Sequence, residues 1–310
     1  MADDRILAFD IVRIIAVLMI ISLHVGNAVD ITALTRDYGI PGLTGQIGEW
    51  GVVLMVVLSG AVLEYVYGKK IADKAKTFDY RGFISKRILR IYPGYWFALL
   101  LALLLNWTLY TSQGWFEWAK ALSGFYVFFT PYYAPPPGSW VGFIDPIGWF
   151  IGLIVVLYLM YPMVSRFLKN TGFGGLILVF FFSWFVGVSL PTMMNGGYYW
   201  YPIARLFEFS LGIYIVQQGL YPKTVNMSGI VRFLSDLSFP VFLTHFTVLY
   251  LLLQAPTAYG FNYLLYAVVV LIMSLLVYAF DIYFKKYFDT RKANDAMVSL
   301  YKQISALLKI

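Results

Sequence analysis

Eight stretches of this chain are apolar for long enough to cross a bilayer, near residues 6 to 29, 48 to 67, 89 to 109, 147 to 165, 174 to 191, 199 to 216, 234 to 254 and 261 to 284. About 20 apolar residues in helical form span the roughly 30 Å of hydrocarbon in a typical membrane. The chain therefore reads as all-α, a polytopic transmembrane helix bundle of about eight spans. Composition excludes an ordinary water-soluble domain: 60% of the 310 residues are hydrophobic, only 13% are charged, and the mean hydropathy is +0.73. The 19% aromatic content suits helix ends anchored at the two interfaces.

The net charge of +7 would suggest nucleic acid in a soluble protein, but here its distribution reports orientation. With the chain start placed in the cytoplasm, the inner segments carry 19 Lys and Arg and the outer ones 2, Arg36 and Lys120. The positive-inside rule then puts both termini in the cytoplasm and leaves Arg13 and Arg205 inside helices. No nucleic-acid partner is expected. The start, MADDR, lacks the positive region of a secretory signal, so the first apolar run is read as retained. Cysteine is absent and histidine occurs only at His24 and His245. A thiol nucleophile is thereby excluded and no metal is expected.

The first span, RILAFDIVRIIAVLMIISLHVGNAV, holds three ionisable groups, Asp10, Arg13 and His24. A charge at the bilayer centre costs about 2.5 to 3.5 kcal/mol on insertion scales, so such residues face protein or water and carry function. Arg13 and His24 are eleven positions apart, which is about three helical turns or roughly 16 Å. They share a face, and Asp10 lies three residues before Arg13 on it. The competing reading is structural, with Arg13 snorkelling or paired with Asp10 and His24 bonded to backbone.

Further candidates follow in order. Ser59 and Gly60 in the second span are small enough to let two helices approach closely. Residues 68 to 90 read as a basic inner loop. Arg87 and Arg90, three apart, form a guanidinium pair at the mouth of the third span, held at a helix entrance by Pro93 and Trp96. Guanidinium groups bind phosphate bidentately, whereas contact with anionic lipid headgroups is the alternative. The segment 115 to 129 within the long aromatic outer stretch 110 to 146 is read as a re-entrant or interfacial helix. Arg205 and Glu208 are an intramembrane ion pair by spacing, and His245 lies mid-membrane with Asp236 near the inner end of the same span and Pro240 available to kink it. The tail 286 to 310 reads as a basic amphipathic segment on the inner face, beyond a transmembrane unit over 1 to 285.

The pattern R-x4-D-x2-R-x10-H at Arg5, Asp10, Arg13 and His24 resembles the opening of the acyltransferase-3 family of integral membrane O-acyltransferases. KRILRIYPGYW, with Arg87 and Arg90, resembles that family's R-x-x-R-I-x-P stretch. The Ser59 and Gly60 pair, the helix from Trp149 to Pro162, the Arg205 and Glu208 helix and SFPVFLTHF around His245 resemble further motifs of it, in the same order. The family usually has ten spans, two more than are counted here.

The resemblance implies transfer of an acyl group, commonly acetyl, from acetyl-CoA or another acyl-CoA in the cytoplasm to a hydroxyl of a carbohydrate or lipid-linked acceptor. It implies an enzyme of the cell membrane, plasma or inner. On that reading His24, with Asp10 and His245, forms the catalytic group, and Arg13, Arg87 and Arg90 bind the donor. Ser59, Gly60, Trp149, Arg205 and Glu208 support them. Imidazole suits proton abstraction from a hydroxyl near neutral pH. A secondary transporter or lipid-linked sugar flippase also places ionisable groups in mid-membrane, although no internal symmetry supports one. A scaffold without chemistry leaves the ionisable groups unexplained.

Overall fold

Apolar runs become helices here because each backbone N–H and C=O must be satisfied within its own segment once water is gone. The computed structural model describes residues 5–28, 43–72, 78–105, 114–125, 147–189, 201–224, 228–254, 262–287 and Ser299. Of the outer loop expected over 30 to 47, residues 30 to 42 lie outside the described residues and 43 to 47 are the first turn of a helix; the stretches 110 to 113 and 126 to 146 and, apart from Ser299, the amphipathic tail beyond 287 also lie outside them. Eight helices are described: α1 Leu7–Ala28, α2 Leu43–Ala72, α3 Tyr80–Leu105, α4 Trp115–Ser123, α5 Gly148–Ser189, α6 Leu206–Gln217, α7 Gly229–Gln254 and α8 Tyr263–Tyr287. Among the described residues there is no strand, and six helices are long and apolar enough to cross a membrane.

The predicted spans map onto these helices with two corrections, at α6 and at the segment 68 to 90. Spans 147 to 165 and 174 to 191 correspond to the two arms of α5, whose helical run breaks at Gly172 with φ 61° and ψ −139°. Positive φ strains any residue with a Cβ, which makes glycine the natural break. The chain reverses there, as α6 shows when used as a ruler. Tyr161 meets Phe209 and Ser165 meets Gln217 on the way down, then Phe173 meets Tyr214 and Phe180 meets Phe207 on the way back. The span expected over 199 to 216 is only the 12-residue α6, preceded by a turn at 202 to 205 that contains Pro202. The expected inner loop 68 to 90 is mostly helical, because α2 runs on to Ala72 and α3 begins at Tyr80. Lys69 and Lys70 then sit in the last turn of α2, where cations complement the helix dipole. Arg87 and Arg90 lie well inside α3, not at its entrance.

Five helices pack in a closed ring, α1 to α2 to α5 to α3 to α7 and back to α1, with α6 outside against α2 and α5 and α8 outside against α3 and α7. The α2 and α6 backbones cross at two glycines. A Cβ on Gly60 would collide with the Phe209 carbonyl, and one on Gly212 with that of Val57. Close approach of this kind is how helices associate where lipid removes the hydrophobic drive. The large apolar side chains left exposed, such as Phe181, Phe182 and Phe185 on α5 and Leu264 and Ile272 on α8, belong to the surface that meets lipid.

The short helix α4 enters the bundle with its C-terminal end leading, since Trp115 is 80% exposed while Ala121 is fully buried. Its final carbonyls have no intrahelical partners. Three side chains of α3 supply them: Tyr95 Oη donates to Ala121 O at 2.6 Å, Trp96 Nε1 to Leu122 O at 2.8 Å and Tyr92 Oη to Ser123 O at 2.6 Å. Gly124, at φ 71°, closes the helix and packs against Gly152 of α5.

Candidate active site

Two polar clusters join α1 to α7, one towards the C-terminal end of α1, named outer after the expected orientation, and one at its N-terminal end, named inner. In the outer cluster His24 Nδ1 and His245 Nε2 are 2.9 Å apart, with the rings nearly parallel at 5.1 Å between centroids. His245 is fully enclosed, while His24 keeps partial exposure. The His245 Nδ1 lies 2.8 Å from the Phe242 carbonyl and 3.2 Å from that of Val241. A carbonyl can only accept, so in the neutral pair that Nδ1 carries the hydrogen and Nε2 carries the lone pair. His24 must then donate from Nδ1, which leaves its own Nε2 as the open acceptor. Phe246 stands edge-on to His24 and Phe242 lies against His245, with Phe150 of α5 behind Phe242. Trp149, next to Phe150, packs partly buried against the core.

The inner cluster is ionic. Asp10 is buried and accepts from Arg5 Nη2 at 2.5 Å, from Arg13 Nη1 at 3.0 Å and from Ser235 Oγ. Arg13 Nη1 also donates to Ser235 Oγ at 2.9 Å, and Arg5 Nη1 to Asp236 Oδ1 at 2.7 Å. Asp10, expected with the catalytic group, thus sits fourteen residues from His24, about 21 Å of helix rise away. Arg90 of α3 lies within electrostatic range of Arg13, and no carboxylate is paired with it among the described residues. Arg87 turns the other way. Its Nη2 donates to Tyr67 Oη of α2 at 2.8 Å, its guanidinium lies over the Tyr67 ring, and its Nε is buried without a hydrogen-bond partner.

The remaining expected positions lie apart from both clusters. Ser59 Oγ donates to Met55 O within its own helix, and Gly60 serves the crossing with α6. Arg205 and Glu208 form the expected ion pair at 2.9 Å on α6, away from α1 and α7. Sequence reading passed over Glu64, a buried carboxylate on α2 that accepts from Tyr161, Ser165 and Gln217 and ties α2 to α5 and α6. The signal was there, because a carboxylate inside an apolar span marks a polar interior site by the rule that singled out Asp10. Among the described residues no group of three or more His, Cys, Asp or Glu could hold a metal ion.

A family model described as an acyltransferase domain matches residues 6–229, nearly three quarters of the chain. The chain belongs to the acyltransferase-3 family. No curated protein and no solved structure matches it. Within this acyltransferase the family match covers α1 to α6, with both Arg13 and His24, and ends as α7 begins. Ser235, Asp236 and His245 lie past that end, and their link to the matched region is the packing of α7 on α1.

Proposed function

We propose that this membrane acyltransferase takes an acyl group, acetyl in the first instance, from coenzyme A at the cytoplasmic face and passes it to a hydroxyl of a carbohydrate or lipid-linked acceptor, with His24 as general base. The observation that carries the reading is the hydrogen-bonded pair of imidazoles, which leaves His24 Nε2 as the open acceptor. The acceptor hydroxyl gives its proton to Nε2 as its oxygen attacks the thioester carbonyl. The new C–O bond forms, the C–S bond breaks, and the imidazolium returns the proton to the leaving thiolate. As positive charge develops on His24, the lone pair of His245 Nε2 accepts the Nδ1 hydrogen and stabilises it.

Coenzyme A carries phosphates that need unanswered positive charge, which Arg90 and the buried Nε of Arg87 supply at the inner end of the ring. Arg13 is already engaged by Asp10 and Ser235. From the level of Arg13 to His24 the pantetheine arm has about 16 Å to cover. The enzyme is read as a multi-pass protein of the plasma or inner membrane with both termini cytoplasmic, by the basic bias of its inner segments. Family membership favours this reading over a transporter. The test is incubation of the purified protein with acetyl-labelled coenzyme A. Acetyl transfer to a carbohydrate acceptor, or slow hydrolysis without one, is expected, whereas absence of both binding and turnover contradicts the proposal.

A further inference from the structure

We propose that Arg13 is a positioning residue that holds α1 and α7 in the register at which His24 meets His245, and is not a ligand of the donor's phosphates. This deepens the reading of His24 as general base and rests on it for its catalytic meaning. The two helices are joined at two levels, Arg13 to Ser235 at 2.9 Å and His24 to His245 at 2.9 Å. From Arg13 to His24 is eleven residues on α1, and from Ser235 to His245 is ten on α7. These correspond to about 16 Å and 15 Å of rise along helices that run the same way. Two hydrogen-bonded contacts at matched spacing act as two pegs. A slip of one residue shifts α1 by about 1.5 Å and turns it by about 100°, which breaks both contacts. What packs around Val25, Val248 and Leu249 is apolar and non-directional, so the two polar contacts specify the register.

Charge points the same way. Arg5 and Arg13 contribute two positive charges and Asp10 and Asp236 two negative ones, so the inner cluster is neutral by itself. Arg13 Nη1 is used twice within it. The guanidinium groups left to attract a phosphate are those of Arg90 and, through its unpaired Nε, Arg87. The ten-residue interval between Arg13 and His24 is then explained by geometry: it is the spacing that puts a peg three turns below the base.

Because the chain has only two histidines, modification by diethylpyrocarbonate, read as N-carbethoxyimidazole absorbance, reports the pair directly and needs no donor. In the native protein, purified on a histidine-free tag, His24 reacts and His245, enclosed with both nitrogens engaged, does not, giving one equivalent. Arg13→Gln and Ser235→Ala are expected to expose His245 and raise the count towards two. Each is expected to lower turnover by roughly tenfold or more while acetyl-CoA affinity stays within about twofold. Arg13→Lys, which keeps a donor for Asp10 and Ser235, restores part of the turnover. Arg90→Gln does the reverse, weakening acetyl-CoA binding by roughly tenfold with one equivalent modified. One equivalent in Arg13→Gln, with acetyl-CoA binding weakened as in Arg90→Gln, overturns the proposal. If Arg13→Gln does not fold, Ser235→Ala, which removes a single hydroxyl, decides in its place. If the native protein binds no acetyl-CoA, the functional reading fails while the modification count still reads the register.

Discussion

At the scale of residues, the proposed roles of the two imidazoles differ because His245 is fixed by the Phe242 carbonyl and His24 by His245. Replacing His245 with Ala lets the His24 ring rotate and change tautomer. Turnover is expected to fall by about 10- to 100-fold with acetyl-CoA affinity unchanged, a loss smaller than the about 10² to 10⁴ expected for removing a general base. A loss as large in binding as in turnover would contradict that assignment. At the inner end, Arg87→Ala or Arg90→Ala should weaken acetyl-CoA binding by roughly ten- to a hundredfold, since a hydrogen bond to a charged group contributes about 1.5 to 3 kcal/mol. Lys69→Ala and Lys70→Ala are the controls, and equal losses in all four titrations would mean that the arginines only meet lipid. Asp10, Arg13 and His24 were legible as one face because helical periodicity is local information. Ser235 was not, since a serine more than two hundred residues away carries no pattern that pairs it with Asp10.

At the scale of elements, the crossing of α2 and α6 depends on Gly60 and Gly212, each seated on the other helix's backbone. Gly60→Val forces the helices apart and is expected to destabilise the protein by about 1 to 3 kcal/mol, the usual cost of overpacking. The check is the thermal midpoint in detergent; an unchanged midpoint would mean that α6 is free to shift. The apolar runs located the helices well, since their length is set by the bilayer. Their ends were less legible, because Lys69, Lys70 and the basic first turns of α3 continue helices that hydropathy alone cuts off. The reversal at Gly172 was foreseen as a boundary between two spans, and the shortness of α6 was not, since Tyr201 to Ala204 extended the apolar run as a turn and not as helix.

At the scale of the whole molecule, the ring of α1, α2, α5, α3 and α7 brings the first span against the seventh described helix, so the candidate site is assembled from opposite ends of the chain. Orientation is testable because the chain has no cysteine. A cysteine at Arg36 should react with an impermeant thiol reagent added outside intact cells, and one at Lys70 should not; the opposite pattern would invert the topology. The central claim is that His24 is the base of a membrane acyl transfer. Its most direct measurement is acetyl transfer from labelled acetyl-CoA by the native protein and by His24→Ala, with acetyl-CoA binding titrated on the same samples. Binding should be equal and turnover lower in the variant by a factor of about 10² to 10⁴, and near-native turnover in His24→Ala with binding intact would contradict the account.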